Sequence, residues 1–284
     1  CLILFRAHPR VLPVIVAAVI SLDGVFFAWS FIGPWSTFRA AGSAWPEGAG
    51  EALRRAGGGY RAIALGNPDL NDAMIERVPV IEGIEPNPPR DFHILFRSGQ
   101  QMPVEIAPSV YQAYAAAPEF MRMGLGRVVG PADAETPPMS VLWRGGDMVV
   151  QDLPGAIPRA RIAYSQVRIA RDQDPLEPLL TTDPREVAVL SEESEPPSGG
   201  VPAERTAATF VEDSPDRVAI AAELERPGWL VLLDNHYPGW RATVDGAPAP
   251  ILRGDFAFRA VALPAGKHEV VFAYRPRSLQ WGCG

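Results

Sequence analysis

A run of closely spaced turns restricts this fold more than any other feature. Asp245-Gly246, Gly254-Asp255 and Pro264-Ala265-Gly266 interrupt the stretch RATVDGAPAPILRGDFAFRAVALPAGKHEVVFAYRP, leaving only short segments between them. Asp-Gly between two strand-like segments is a strong signal for a two-residue hairpin. His268, Val270, Phe272 and Tyr274 alternate with Glu269, Val271, Ala273 and Arg275, which is the period of a strand with one buried face. Upstream, DRVAIAAEL sets Val218, Ile220 and Ala222 against polar neighbours, and GWLVLLD is an unbroken apolar run. REVAVLS is a further strand candidate, followed by the loop EESEPPSGGVPAER. Short strands at this turn spacing predict an antiparallel β-sandwich of jelly-roll or Ig-like kind over residues 185–276.

Ahead of it, residues 36–180 mix signals. EGAGEALRRAGGG reads as a short helix stopped by glycines. YRAIAL and GRVVG read as short strands, and SVLWRGGDMVVQDL as a hairpin. Helical spacing runs through Val110, Tyr111, Tyr114 and Ala117. The alternation predicts an α+β (α/β-like) domain. Residues 11–35, VLPVIVAAVISLDGVFFAWSFIGPW, are long and apolar enough to cross a hydrocarbon core of ~30 Å. Arg6 and Arg10 precede this run, and Trp29 and Trp35 lie near its end. The expectation is a transmembrane helix with a short cytoplasmic flank over residues 1–35. Asp23, within it, is read as bonding a neighbouring helix. Localisation is then the cell membrane, with most of the chain extracytoplasmic. Cys1 at one end and LQWGCG at the other suggest an excerpt of a longer chain, with residues 277–284 opening a following membrane helix.

A length of 284 residues suits about two domains. The net charge of −7, with Lys267 the sole lysine, argues against a nucleic-acid partner. Cys1 and Cys283 have no metal-ligand spacing, and His8, His93, His236 and His268 form no zinc pattern. No nucleophile elbow or phosphate loop occurs. Neither a catalytic residue, a metal site nor a cofactor is assigned.

Chemistry concentrates in DNHYPGWR. Asp234, His236, Tyr237, Trp240 and Arg241 combine flat aromatic rings with hydrogen-bonding groups, the residue types of a sugar site, and are the candidate ligand-binding residues. The same residues also suit a corner of a β-sandwich. Pro238 pre-sets φ and Gly239 permits positive φ, and Trp240 then leads a strand with Ala242 and Val244 on its face. On that reading function falls at His236 and Asp234 on the rim rather than at Trp240.

Residues 232–276, with YPGW, VDG, FRAV, PAGKH and a closing F-x-Y-R-P in order, resemble the C-terminal extracytoplasmic domain of YfhO-type bacterial membrane proteins. LPGAIPRARIAYSQVRI and DPREVAVLSEE are similar to segments preceding that domain. One departure is VIEGIEPNPPRDFHIL, where Ile84 and Glu85 stand for the family's Tyr and Asp between Gly83 and Pro86. The resemblance implies a polytopic parent of the GT-C type, a membrane glycosyltransferase using lipid-linked sugars on cell-envelope polymers. It also implies that the catalytic carboxylates lie in an early loop outside this chain. Expected partners are membrane lipid, a lipid-linked sugar donor and an envelope glycan, with the sandwich positioning the acceptor or a partner. The alternative is a membrane-anchored, non-catalytic carbohydrate-binding or structural envelope domain.

Overall fold

The hairpin expected at Asp245-Gly246 is present, with φ of 51° and 82° at the two residues, as a two-residue turn of the primed class requires. It belongs to a computed structural model that describes residues 21–22, 45–64, 72–81, 89–100, 118–132, 139–169, 174–191 and 194–276. Ser21 and Leu22 are helical and exposed within a first unit, Cys1–Ala44. All other described residues fall in a second unit, Trp45–Gly284.

Helix α1 (Ala49–Ala56) carries Glu51 in its first turn and Arg54 and Arg55 in its last, so its charges complement the helix dipole, and Gly57 ends it. The other helices are shorter or little longer: α2 (Asp72–Ile75), α3 (Arg90–Gln100), α4 (Pro118–Arg122) and α5 (Glu177–Thr181). Strands β1 (Arg61–Ala64), β2 (Leu125–Pro131), β3 (Ser140–Gly145) and β4 (Met148–Asp152) form a small sheet in the order β1-β2-β4-β3, with β1 parallel to β2. Trp45, Ala49 and Leu53 pack on it against Ala62, Val129 and Val150.

Six strands make the central sheet: β5 (Ala160–Ala163), β6 (Ser165–Arg168), β7 (Val187–Leu190), β10 (Gly228–Asn235), β13 (Leu252–Gly254) and β14 (Phe258–Leu263). Their order is β5-β10-β14-β13-β7-β6. Five more form a wholly antiparallel partner sheet, β12-β11-β15-β9-β8. They are β8 (Ala207–Asp213), β9 (Arg217–Leu224), β11 (Trp240–Val244), β12 (Ala247–Ala249) and β15 (Gly266–Tyr274).

The central sheet is buried on both faces, which explains why GWLVLLD is continuously apolar. Leu230 and Leu232 of β10 meet Ile220, Val270 and Phe272 of the partner sheet. Trp229, Val231 and Leu233, pointing the other way, join Leu95 of α3, Phe120 of α4 and Leu179 of α5.

Two expectations about fold class are corrected. Where a mixed α+β domain was expected, the described residues are mostly β, with three sheets and few, short helices. Glycine and proline keep the apolar runs of the described residues here short, as in YRAIAL and GRVVG, and the helical spacing at residues 110–117 lies outside the described residues. Nor is the C-terminal part a self-contained antiparallel sandwich. Strands β5 and β6, which precede residue 185, complete its central sheet, and β6 runs parallel to β7, with α5 lying in the crossover that a parallel pair needs.

The expected membrane helix is corrected as well: among the described residues no helix is long and apolar enough to cross a membrane. The longest described helix with a hydrophobic face, α3, has 11 residues and so spans only ~16 Å. Apart from Ser21 and Leu22, the apolar segment of residues 11–35 lies outside the described residues, as do residues 277–284.

Candidate functional site

Strand β10 belongs to the central sheet and β11 to its partner, so HYPGW is where the chain crosses from one layer of the sandwich to the other. The His236 N–H donates to the Ala257 carbonyl at 2.8 Å, holding the exit from β10. At Gly239 φ is 107°, and a Cβ there would lie 2.6 Å from the Tyr274 ring, so this position takes glycine on both counts. The Gly239 carbonyl accepts from the Arg275 N–H at 2.7 Å, tying the corner to the end of β15.

Register then brings three aromatics together. Trp240 pairs with Tyr274 across β11 and β15. Their ring centroids are 5.3 Å apart, with Tyr237 at 5.5 Å from Tyr274 and 6.3 Å from Trp240 in edge-on geometry. The Arg259 guanidinium lies 3.8 Å from the Trp240 ring centroid, a close cation–π contact.

An open groove of about 380 Å³ runs beside this cluster. His236, Tyr237, Trp240 and Arg241 line it together with Pro248, Ala249 and Ile251. Tyr237 and Arg241 are exposed, while His236 and Trp240 are half-buried. Four of the five candidate residues thus share one groove.

Asp234 does not line it. Its Oδ1 sits 2.8 Å from Arg61 Nη2 and 3.0 Å from Arg159 Nε, and its Oδ2 is 3.5 Å from Arg259 Nη2. Arg159 also forks onto Asp213 at 2.6 and 2.8 Å. Burial alone would raise the Asp234 pKa, but the charges of Arg159, Arg61 and Arg259 outweigh it and hold the carboxyl below its ordinary range. Desolvation brings Arg61 and Arg259 down to about 10, so both remain cations at neutral pH. Arg159 is held above its ordinary value: burial opposes this, but the hydrogen bond to Asp213 and the charge of Asp234 prevail.

Sequence reasoning passed over Tyr274, Arg259, Arg61 and Arg159. One signal was present, an arginine inside the otherwise apolar strand FRAVAL. Arg61 and Arg159 reach Asp234 only through tertiary packing. A second buried set joins Asp255 to Arg122 at 3.2 Å and Arg161 at 2.6 Å, and none of the three lines the groove. No carboxylate lines the groove, and among the described residues no cluster of His, Cys, Asp or Glu has a metal-binding arrangement. What the groove can do is stack a flat ligand against Tyr237 and Trp240 and hydrogen-bond it through His236 and Arg241. Residues 83–86, which carry the departure from the YfhO pattern, lie outside the described residues.

No family model, curated protein or solved structure matches the chain.

Proposed function

We propose that the groove beside HYPGW binds a cell-envelope glycan, and that the β-sandwich positions this polymer as acceptor for a YfhO-like membrane glycosyltransferase supplied by a lipid-linked sugar. The observation that carries the binding reading is the convergence of Tyr237, Trp240, His236 and Arg241 on one open groove. The wider role rests on the resemblance of residues 232–276, and with it come the extracytoplasmic location and the membrane as partner. In this reading the chain recognises and holds, and the chemistry belongs to carboxylates elsewhere in the parent.

A purely structural corner is the second reading, favoured by the mutual packing of Tyr237, Trp240 and Tyr274 over Arg259. Titration with a panel of envelope glycans, followed by calorimetry and by the tryptophan indole NMR signals, separates the two. Saturable binding that Tyr237→Ala weakens several-fold while the thermal melt stays intact supports recognition. Silence across the panel supports the structural corner.

A further inference from the structure

The chain as a whole is acidic, with a net charge of −7, yet the groove is not. Its titratable lining residues are His236, Tyr237 and Arg241, with no Asp or Glu among them. Arg241 is exposed, and among the described residues no carboxylate pairs with it. Asp234, the acidic residue at the end of β10, has both oxygens taken by guanidinium groups.

Behind the aromatic wall the charge is also positive. The Arg259 side chain is 3 % exposed and stacks on Trp240, itself a lining residue. Its Nε and Nη1 are buried without hydrogen-bond partners among the described residues. Arg61, Arg159 and Arg259 form ion pairs only with Asp234 and the exposed Asp213, so three cations meet two anions there. A charge in a low-dielectric interior is weakly screened and acts over several ångströms.

We propose that the groove selects a carboxylate-bearing sugar, a uronate-type unit of an acidic polysaccharide, with Arg241 as the pairing cation and Trp240 and Tyr237 as the stacking faces. The proposal rests on the glycan-binding reading above and deepens it. A guanidinium fork matches the planar carboxylate in bidentate geometry. The fork binds phosphate as well, so the choice of a uronate rests on the stacking faces: Trp240 and Tyr237 suit the flat face of a sugar ring, which a glycerol-phosphate chain lacks.

The test uses the 284-residue chain and three probes of equal length: oligogalacturonate, its methyl ester, and a glycerol-phosphate oligomer. The ester keeps the sugar faces and removes the charge. Binding is read from the tryptophan indole signals, with Trp240→Phe assigning the one at the groove. Oligogalacturonate should bind about tenfold more tightly than the ester, as one charge-assisted pair implies. Arg241→Gln should erase that preference while leaving ester affinity unchanged. Lys267→Gln, at the opposite end of β15, should keep it. Raising salt from about 50 to 500 mM should weaken the acid and not the ester. Equal affinity for acid and ester overturns the carboxylate selection while leaving glycan binding intact. Tighter binding of the glycerol-phosphate oligomer also overturns it. An unmoved Trp240 signal with every probe overturns this proposal and the glycan-binding reading together.

Discussion

Asp234 and Arg61 are separated by 173 residues in the chain, and their side chains meet at 2.8 Å. The pair ties the first strand of the small sheet to the end of β10, where the sandwich corner begins. Arg61 also donates to the Leu233 and Met123 carbonyls, the latter at 2.8 Å, so one guanidinium closes three segments onto each other. Asp234→Ala should therefore act on stability. Removing one partner of a buried pair typically costs about 3–5 kcal/mol, because the remaining charges stay buried without compensation. Chemical denaturation should show this as a fall in midpoint. A loss below ~1 kcal/mol would mean that the cluster is solvated in solution.

The same residue sets an acid limit. Its carboxyl titrates lower in the folded chain than in the unfolded one, where an Asp sits near ~3.9. The folded state then binds fewer protons than the unfolded state between those two values, and stability must drop as pH falls through that window. Its contribution is complete above about pH 4 and disappears progressively below it. Stability curves of the native protein and Asp234→Asn should converge on acidification. Parallel curves would assign acid sensitivity to other carboxylates.

Gly239→Ala tests the corner. Positive φ costs an L-residue about 1–2 kcal/mol, and the new methyl would sit 2.6 Å from the Tyr274 ring. Tyr274 has to move, and Trp240 loses its neighbour. The expected result is a lower melting temperature together with displaced indole and Tyr274 ring signals. An unchanged melt and spectrum would show that the corner is not set by this glycine.

Asp255 offers a control that does not line the groove. It is wholly buried, accepts the Val189 N–H at 3.0 Å and faces Arg122 and Arg161, at a left-handed backbone position with φ of 44°. Asp255→Ala should cost as much as Asp234→Ala and leave any glycan affinity of surviving folded protein unchanged. Asp255→Asn should be milder, because Asn tolerates this backbone and still accepts hydrogen bonds. Thermal melts of the two variants check the order.

Tyr237→Ala is the converse case. The residue is 39 % exposed and its ring edges the groove, so little core packing is lost. Affinity for a bound glycan should fall several-fold, in line with an aromatic contact of about 0.5–1.5 kcal/mol, with stability nearly unchanged. Calorimetry and a melt on the same sample separate the two effects.

The local β-structure was legible because turns and strand periodicity are short-range properties. Asp245-Gly246 chose its hairpin, the alternation of Val218, Ile220 and Ala222 chose the buried face of β9, and Gly57 ended α1, each through backbone preferences of neighbouring residues. Four groove residues were equally visible because they lie within six positions of one another in a single corner. Sheet membership was not legible. That β5 joins the central sheet beside β10, and β6 beside β7, depends on which edges remain free after collapse, a long-range competition that no local window encodes. The role of Asp234 was hidden for the same reason. As a sequence letter it was a polar residue at a strand end, and only the packing of Arg61, Arg159 and Arg259 around it made it the buried tie rather than a rim ligand. Local chemistry determined where the chain turns, and tertiary electrostatics, strong in a low-dielectric interior, decided which of its charges face the groove.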